Sequence, residues 1–156
     1  MDEETRHRVY QAAKRMGRAY LTTAVDEQPW VRPVQPAWDG NDLVIATWQG
    51  SPKIRHIQQN PRVQLFYEVD EAFQHLRVTG LAETVDDLAE KRRLWNCFEY
   101  DLTPYFGAPD APTFTLIRVR STRIDLAADA GTGKEQPLIW RRDLPGDPSS
   151  SSTPKA

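Results

Sequence analysis

The sequence contains a single cysteine, Cys97, among its 156 residues. One thiol cannot build an internal disulfide framework, which excludes the class of small disulfide-stabilised domains. The histidines have no spacing relative to that cysteine that is typical of a zinc site, so no metal site is predicted. Cys97 is instead predicted to be a small residue packed in a helix rather than a nucleophile. The three histidines are His7, His56 and His75.

Long apolar runs and an excess of positive charge are also missing. No stretch is long enough for a membrane-spanning helix or a secretory signal, so we expect a cytoplasmic protein without a membrane partner. The formal net charge is −2 and the isoelectric point is about 5.9, so nothing favours nucleic-acid binding. A hydrophobic fraction of 39% with five tryptophans is that of a globular protein.

The length and the composition along the chain predict one domain with a tail. A chain of this size can build a core, and we predict a single domain over residues 1–144. Residues 145–156, PGDPSSSSTPKA, are rich in proline and serine and contain almost no apolar side chains. Such a segment cannot bury enough surface to fold, so a disordered C-terminal tail is predicted.

Hydrophobic periodicity predicts a mixture of helices and strands. Residues 2–17 and 86–100 have helical spacing, and Asp86 and Asp87 mark the start of the second helix. Gly80 lies inside a β-rich segment and predicts a β-bulge. The β-rich segments are residues 19–25, 30–35, 43–47, 62–67, 74–84 and 113–120, with residues 123–126 as a hairpin partner of the last.

Residues 47–61, TWQGSPKIRHIQQNP, are the most informative stretch of the chain. They predict the end of a strand, a tight turn and a short helix. Gly50 permits the turn because it has no Cβ. Ser51 is a favoured N-cap, and Pro52 suits the first helical position, where a missing N–H costs nothing. The helix is predicted to stop at Asn60, before the next proline.

The first turn of this helix has the features of an anion site. Its free backbone N–H groups and the positive end of the helix dipole favour a bound anion. Lys53 lies in the same turn, where the dipole disfavours a cation. A phosphate between the two would remove that conflict. An ordinary capped surface helix with a solvated lysine is the alternative.

Three blocks of residues occur in an order and spacing that carry a family resemblance. They are Arg32-Pro33-Val34, then Thr47 to Lys53 with Asn60-Pro61-Arg62-Val63, then Leu76 to Glu83. Over roughly residues 10 to 128 the chain resembles the pyridoxamine 5'-phosphate oxidase-like FMN-binding split-barrel superfamily, and most of all its general stress protein 26-like branch. The resemblance implies a mainly β, α+β fold: a homodimeric split β-barrel of six to seven antiparallel strands with flanking helices.

The resemblance also implies an FMN site in a groove at the homodimer interface. The phosphate would be held by Arg32, Ser51 and Lys53, with Thr47 and Gly50 in the turn. A dianionic phosphate suits charged donors, a hydroxyl and backbone N–H groups.

Further residues are assigned to the flavin ring by the same resemblance. Pro33, Val34 and Gln35 would run beside the ring system, and their backbone groups could bond its pyrimidine edge. Trp48 would cover the ring, with core or interface packing as the alternative. His75 falls where the family often has a glutamine that reaches the ring from the partner subunit. Its charge would depend on pH.

Two departures from the family pattern bear on function. Pro52 stands where the motif often has an arginine, so one phosphate ligand is missing. Ala37 stands where true pyridoxamine phosphate oxidases have a lysine, and Trp140-Arg141-Arg142 lacks their substrate-phosphate grip. Genuine pyridoxamine phosphate oxidation is therefore not expected.

The sequence thus predicts an FMN-dependent oxidoreductase that acts on a small-molecule substrate or electron donor. The cofactor would perform the redox step, and no side chain stands out as a catalytic acid or base. Three alternatives stay open. They are a flavin-binding stress or storage protein without turnover, FAD in place of FMN, and the same fold with deazaflavin F420 or haem. Haem would need His75 or His56 as its axial ligand.

Overall fold

The computed structural model describes residues 1–69, 73–127 and 136–147. Most of the tail predicted from residue 145, namely residues 148–156, lies outside the described residues. The helices are α1 (Glu3–Met16), α2 (Pro52–Gln59), α3 (Leu88–Trp95) and α4 (Thr103–Phe106). The strands are β1 (Ala19–Val25), β2 (Gln28–Val34), β3 (Ala37–Asp39), β4 (Asp42–Trp48), β5 (Arg62–Glu68), β6 (His75–Val85), β7 (Phe114–Ala127) and β8 (Leu138–Arg141).

The strands form one antiparallel sheet in the order β2-β1-β5-β6-β7-β4-β3, and β8 pairs with β7. This open, curling arrangement with flanking helices confirms the predicted α+β split-barrel class. The described residues contain eight strands, whereas six to seven were predicted. The sequence pattern did not indicate the two short strands, β3 and β8. Strand β2 is an edge strand that pairs only with β1 in the described part of the chain.

The predicted bulge at Gly80 is confirmed, but residues 123–126 do not form a separate hairpin strand. The register between β6 and β7 shifts between Thr79 and Gly80, which pair with Arg123 and Ser121. Thr122 is therefore the extra residue, and β7 continues through it. A Cβ on Gly80 would lie 2.4 Å from the carbonyl oxygen of Arg120, so the close approach of the two strands requires glycine.

The second helix is shorter than predicted. Asp87 caps α3 by accepting the Glu90 N–H at 2.8 Å, which confirms the predicted start. The helix ends at Trp95, so Cys97 lies in the turn beyond it and is only partly buried, not inside a helix as predicted. The segment that follows α3, residues 101–112, contains the short helix α4.

The helices cover the sheet unevenly. Helices α1 and α2 pack on one face and close the larger core cluster, and α3 and α4 cover the outer side of β4 and β7. The outer side of β1, β2 and β5 has no cover among the described residues, and Tyr20, Val31 and Phe66 are exposed there. Among the same residues, no helix is long and apolar enough to cross a membrane.

Candidate cofactor site

The turn and helix that follow β4 have the predicted form. The Ser51 N–H bonds the Trp48 carbonyl at 3.1 Å, and Pro52 is the first residue of α2. The last helical residue is Gln59, and the N–H of the C-cap residue Asn60 donates to the His56 carbonyl at 2.9 Å. Ile54 and Ile57 are buried in the core. This anchoring fixes the direction in which the polar residues of α2 point.

Ser51 occupies the N-cap position but does not act as the predicted cap. Its backbone is extended, and its side chain makes no capping hydrogen bond. Its Oγ is buried and has no hydrogen-bond partner among the described residues. An unpaired buried hydroxyl costs about 1–3 kcal/mol, so this group has capacity for a further partner.

Gly50 does not have the conformational role that the sequence predicts. Its φ angle is outside the left-handed region, and a Cβ built on it would meet no atom within 4 Å. The turn itself therefore does not require glycine. Its carbonyl accepts a hydrogen bond from Arg55 Nη1 at 3.1 Å, which ties the turn to α2.

Arg32 is held by Thr23 and His56, which the sequence did not assign to the phosphate site. Its Nη1 donates to Thr23 Oγ1 at 2.7 Å, and its Nη2 lies 3.0 Å from His56 Nδ1. Thr23 Oγ1 is also 2.9 Å from His56 Nδ1. Since arginine only donates, Nδ1 must accept, which places the imidazole proton on Nε2. That outward Nε2–H remains a donor.

Lys53 lies on α2, and its side chain contacts the buried Thr47. Its Nζ donates to Thr47 Oγ1 at 3.0 Å. Thr115 lies directly opposite Thr47 on β7, and its buried Oγ1 has no partner in the described part of the chain. The spacing of Lys53 and His56, three residues apart on a helix, is the signal that could have brought His56 into the predicted set.

The electrostatics of this group point to an anion. Burial lowers the pKa of the Arg32 guanidinium. Burial, followed by the nearby charge of Arg32, lowers the pKa of both Lys53 and His56. Within residues 1–69, 73–127 and 136–147 no carboxylate forms a salt bridge with any of the three. The three residues are named the basic cluster below. The like charges of Arg32 and Lys53 are partly desolvated, and a bound anion would stabilise them.

Pro33, Val34 and Gln35, three of the residues assigned to the flavin ring, lie at the end of the edge strand β2. Val34 is buried in the core, whereas Pro33 and Gln35 are exposed. The Gln35 carbonyl accepts a hydrogen bond from Tyr100 Oη at 3.2 Å. Because β2 is an edge strand, its outer backbone groups in this region are not used by another strand. A planar group with donors and acceptors on its rim could pair there.

Trp48 and His75 lie apart from the basic cluster. Trp48 is 60% exposed and meets Phe106 edge-on, with ring centroids 6.4 Å apart, so it is not a core residue. His75 begins β6 and stacks on the exposed Phe66 at 5.2 Å. Within this chain His75 is not part of the basic cluster, and its assignment to a site on the partner subunit stays a prediction.

A family model described as pyridoxamine 5'-phosphate oxidase matches residues 8–127. The chain belongs to this family. No curated protein sequence matches the chain. The matched residues include β2, which carries Arg32, and α2, which carries Lys53.

Solved structures from this fold family are similar to the chain at low identity. General stress protein 26 from Bacillus anthracis str. Sterne has a TM-score of 0.68 and 22% identity, over 87% of this chain and 97% of that chain. A pyridoxamine 5'-phosphate oxidase-related, FMN-binding protein from Nostoc punctiforme has a TM-score of 0.67 and 17% identity, over 89% and 96%. A heme-binding protein from Mycobacterium smegmatis has a TM-score of 0.66 and 17% identity, over 90% and 59%. These likenesses establish the fold.

Proposed function

We propose that the chain binds FMN through its phosphate at Arg32, Ser51 and Lys53 and acts as an FMN-dependent oxidoreductase. Its substrate would be a small molecule other than pyridoxamine phosphate. The basic cluster, which has no carboxylate partner in the described chain, is the observation that carries this proposal. Lys53 lies in the first turn of α2, where backbone N–H groups also favour an anion, whereas Arg32 contacts His56 in the last turn.

The residues present fit a phosphate. Arg32 and Lys53 supply two positive charges, and the unpaired Ser51 Oγ supplies a hydroxyl after a rotation about its Cα–Cβ bond. His56 offers its Nε2–H from the last turn of α2 and would take over part of the role of the arginine that Pro52 replaces. Thr47 orients the lysine through their 3.0 Å hydrogen bond.

The bound flavin would supply the hydride and electron chemistry, and the chain would supply binding and orientation. The free edge of β2 at Pro33 and Gln35 would hold the rim of the ring. Trp48, exposed at the end of β4 just before the turn, would limit the access of water to the flavin ring. No described side chain is assigned as a catalytic acid or base.

We propose that the functional unit is a homodimer that forms across the uncovered outer side of β1, β2 and β5. Tyr20, Val31 and Phe66 are 42%, 67% and 38% exposed, and Tyr20 pairs directly with Phe66 across the strands. A contiguous apolar patch of this kind is typical of a protein–protein contact. His75, stacked on Phe66, would belong to the same interface.

Titration with FMN and with riboflavin tests the phosphate site. Lys53→Ala and Arg32→Ala should each weaken FMN binding about 10- to 100-fold, because each removes a charged hydrogen bond. Riboflavin, which has no phosphate, should bind all variants alike. Arg62→Ala is the matched control, since this exposed cation lies just beyond α2. Equal FMN affinity across the variants would contradict the proposal.

The redox role needs its own measurement. The FMN-loaded protein should oxidise NADH or NADPH faster than free FMN does. Full flavin occupancy without such oxidation would favour the flavin-binding protein without turnover. Parallel titrations with FAD and deazaflavin F420 would identify which flavin the basic cluster prefers.

Haem is a second candidate ligand, and the hydrogen bond between His75 and the Phe73 carbonyl favours it. His75 Nδ1 lies 3.0 Å from the Phe73 carbonyl and donates to it, which leaves Nε2 free to bind a metal. One of the similar structures is named as a heme-binding protein. Addition of hemin should then give a Soret band that is shifted and sharpened relative to free hemin, a change that His75→Ala abolishes and Lys53→Ala retains. A spectrum identical to that of free hemin would remove this candidate.

A further inference from the structure

A cavity of about 250 Å³ lies between the C-terminal half of α1 and the segment that joins β2 to β3. Its volume is just below the range of about 300–1,000 Å³ typical of ligand sites. Four aromatic side chains dominate the lining: Tyr10, Trp38, Tyr67 and Tyr100. The rings of Tyr10 and Trp38 have centroids 5.2 Å apart and form one aromatic wall. The basic cluster does not contribute to this cavity.

The polar atoms of these four rings differ in their partners. Tyr10 Oη donates to the Gly40 carbonyl, and Tyr100 Oη donates to the Gln35 carbonyl at 3.2 Å. Trp38 Nε1 and Tyr67 Oη are buried and have no partner among the described residues. Tyr67 is only 2% exposed, and burial raises the pKa of its hydroxyl, so it remains a donor at neutral pH.

The charge at the cavity is balanced. Lys14 and Glu99 both belong to the lining, and their 2.8 Å ion pair is largely solvent-exposed. Among the residues that the structure describes, no other charged side chain lines the cavity. A ligand with a net charge would therefore find no unpaired counter-ion, whereas a neutral one would keep the ion pair intact.

We infer that this cavity binds a small, neutral, planar aromatic molecule that has a hydrogen-bond acceptor, such as a carbonyl, on its rim. Its faces would pack against the aromatic wall. Its acceptor would bond Tyr67 Oη, and Trp38 Nε1, the other donor that the fold leaves unpaired, would report its presence. Water, at about 30 Å³ per molecule, is the competing occupant. The proposal does not depend on flavin binding.

Chromone, a bicyclic ketone, is the probe for this site, and indole, of similar size but with a donor in place of the acceptor, is its comparison. The readout is the set of tryptophan indole N–H signals in ¹H–¹⁵N spectra of the full chain. The Trp38 signal is assigned as the one lost in Trp38→Phe. Chromone should shift this signal in a saturable way and should bind more tightly than indole.

Variants decide whether the unpaired donors are used. Tyr67→Phe should weaken chromone binding roughly 2- to 13-fold, the effect of one neutral hydrogen bond, and leave indole binding unchanged. Tyr20→Phe, which removes a hydroxyl on the uncovered sheet face, should have no effect. Lys53→Ala should lower FMN affinity and leave chromone affinity intact, which separates the two sites.

Two outcomes would overturn the inference. A folded protein whose Trp38 signal does not respond to chromone up to its solubility limit would mean that the cavity holds only water. Equal affinities for chromone and indole, both unaffected by Tyr67→Phe, would mean that the two donors play no part in recognition.

Discussion

At the residue scale, His56 shows how a neighbour changes the chemistry of a side chain. In the sequence it is one polar residue of a short helix. In the fold its Nδ1 lies 3.0 Å from Arg32 Nη2, so protonation at Nδ1 would place two positive groups in contact. The neutral ring holds Arg32, and the pKa of His56 is lowered by burial first and by Arg32 and Arg55 next.

This arrangement makes stability depend on pH. Because the pKa of His56 is lower in the folded chain, the unfolded chain binds more protons as pH falls below about 6.5. The contribution of His56 to stability is therefore complete above that pH and declines as pH falls toward the folded value. In urea unfolding between pH 8 and pH 5, the wild type should lose more stability than His56→Asn. Parallel pH profiles would show that the Arg32–His56 contact does not set this dependence.

At the element scale, the pairing of β6 with β7 explains both a confirmed prediction and a wrong one. Gly80 indicated a bulge from its position inside a β-rich segment. The extra residue, Thr122, shifts the alternation of β7, so that a single strand has two phases of inward and outward residues. A pattern with period two cannot distinguish such a phase shift from a turn between two strands. The apparent hairpin partner at residues 123–126 has this origin.

The bulge predicts a specific cost of substitution. Gly80→Ala should lower the free energy of unfolding by about 1–3 kcal/mol, because the added Cβ would lie 2.4 Å from the Arg120 carbonyl oxygen and 2.9 Å from Val119 Cγ1. Gly50→Ala is the matched control, since its Cβ would meet nothing within 4 Å. Urea unfolding of the three proteins makes the comparison. A Gly80→Ala protein as stable as the control would contradict this account of the close strand approach.

At the scale of the whole molecule, α1 and α2 cover one face of the sheet, and α3 and α4 cover the outer side of β4 and β7. Among the described residues, the outer side of β1, β2 and β5 is left uncovered. The proposed homodimer predicts that a charge in this patch weakens association. Val31→Lys and Phe66→Lys should each raise the dimer dissociation constant about tenfold or more, since a buried lysine without a partner is costly. Sedimentation velocity over a concentration series measures this effect.

A control on another surface separates dimerisation from a general effect of added charge. Leu88→Lys replaces an apolar residue of comparable exposure, 39%, at the start of α3. It should leave the dissociation constant unchanged. A wild-type chain that is monomeric at all concentrations would remove the dimer proposal and with it the expected role of His75 in the partner's site.

The sequence by itself determined the residues whose chemistry is local. The helix after β4, with Pro52 first and Asn60 at its end, follows from backbone preferences within a few residues. Arg32 and Lys53 were identified by the order of motifs along the chain. The α+β split-barrel class followed from the same order of blocks. Each of these needs only neighbours in sequence or a family pattern.

Only the tertiary structure decided what surrounds those residues. Thr23 and His56 meet 33 positions apart because α2 docks over β1, and no periodicity encodes that docking. The packing of Ile54 and Ile57 fixes the orientation of α2, and Ser51 is left without its expected capping bond. The aromatic cavity likewise exists only where α1 lies against the β2–β3 segment. Long-range packing chooses which donors are satisfied, and the ones that remain unpaired define where ligands are expected.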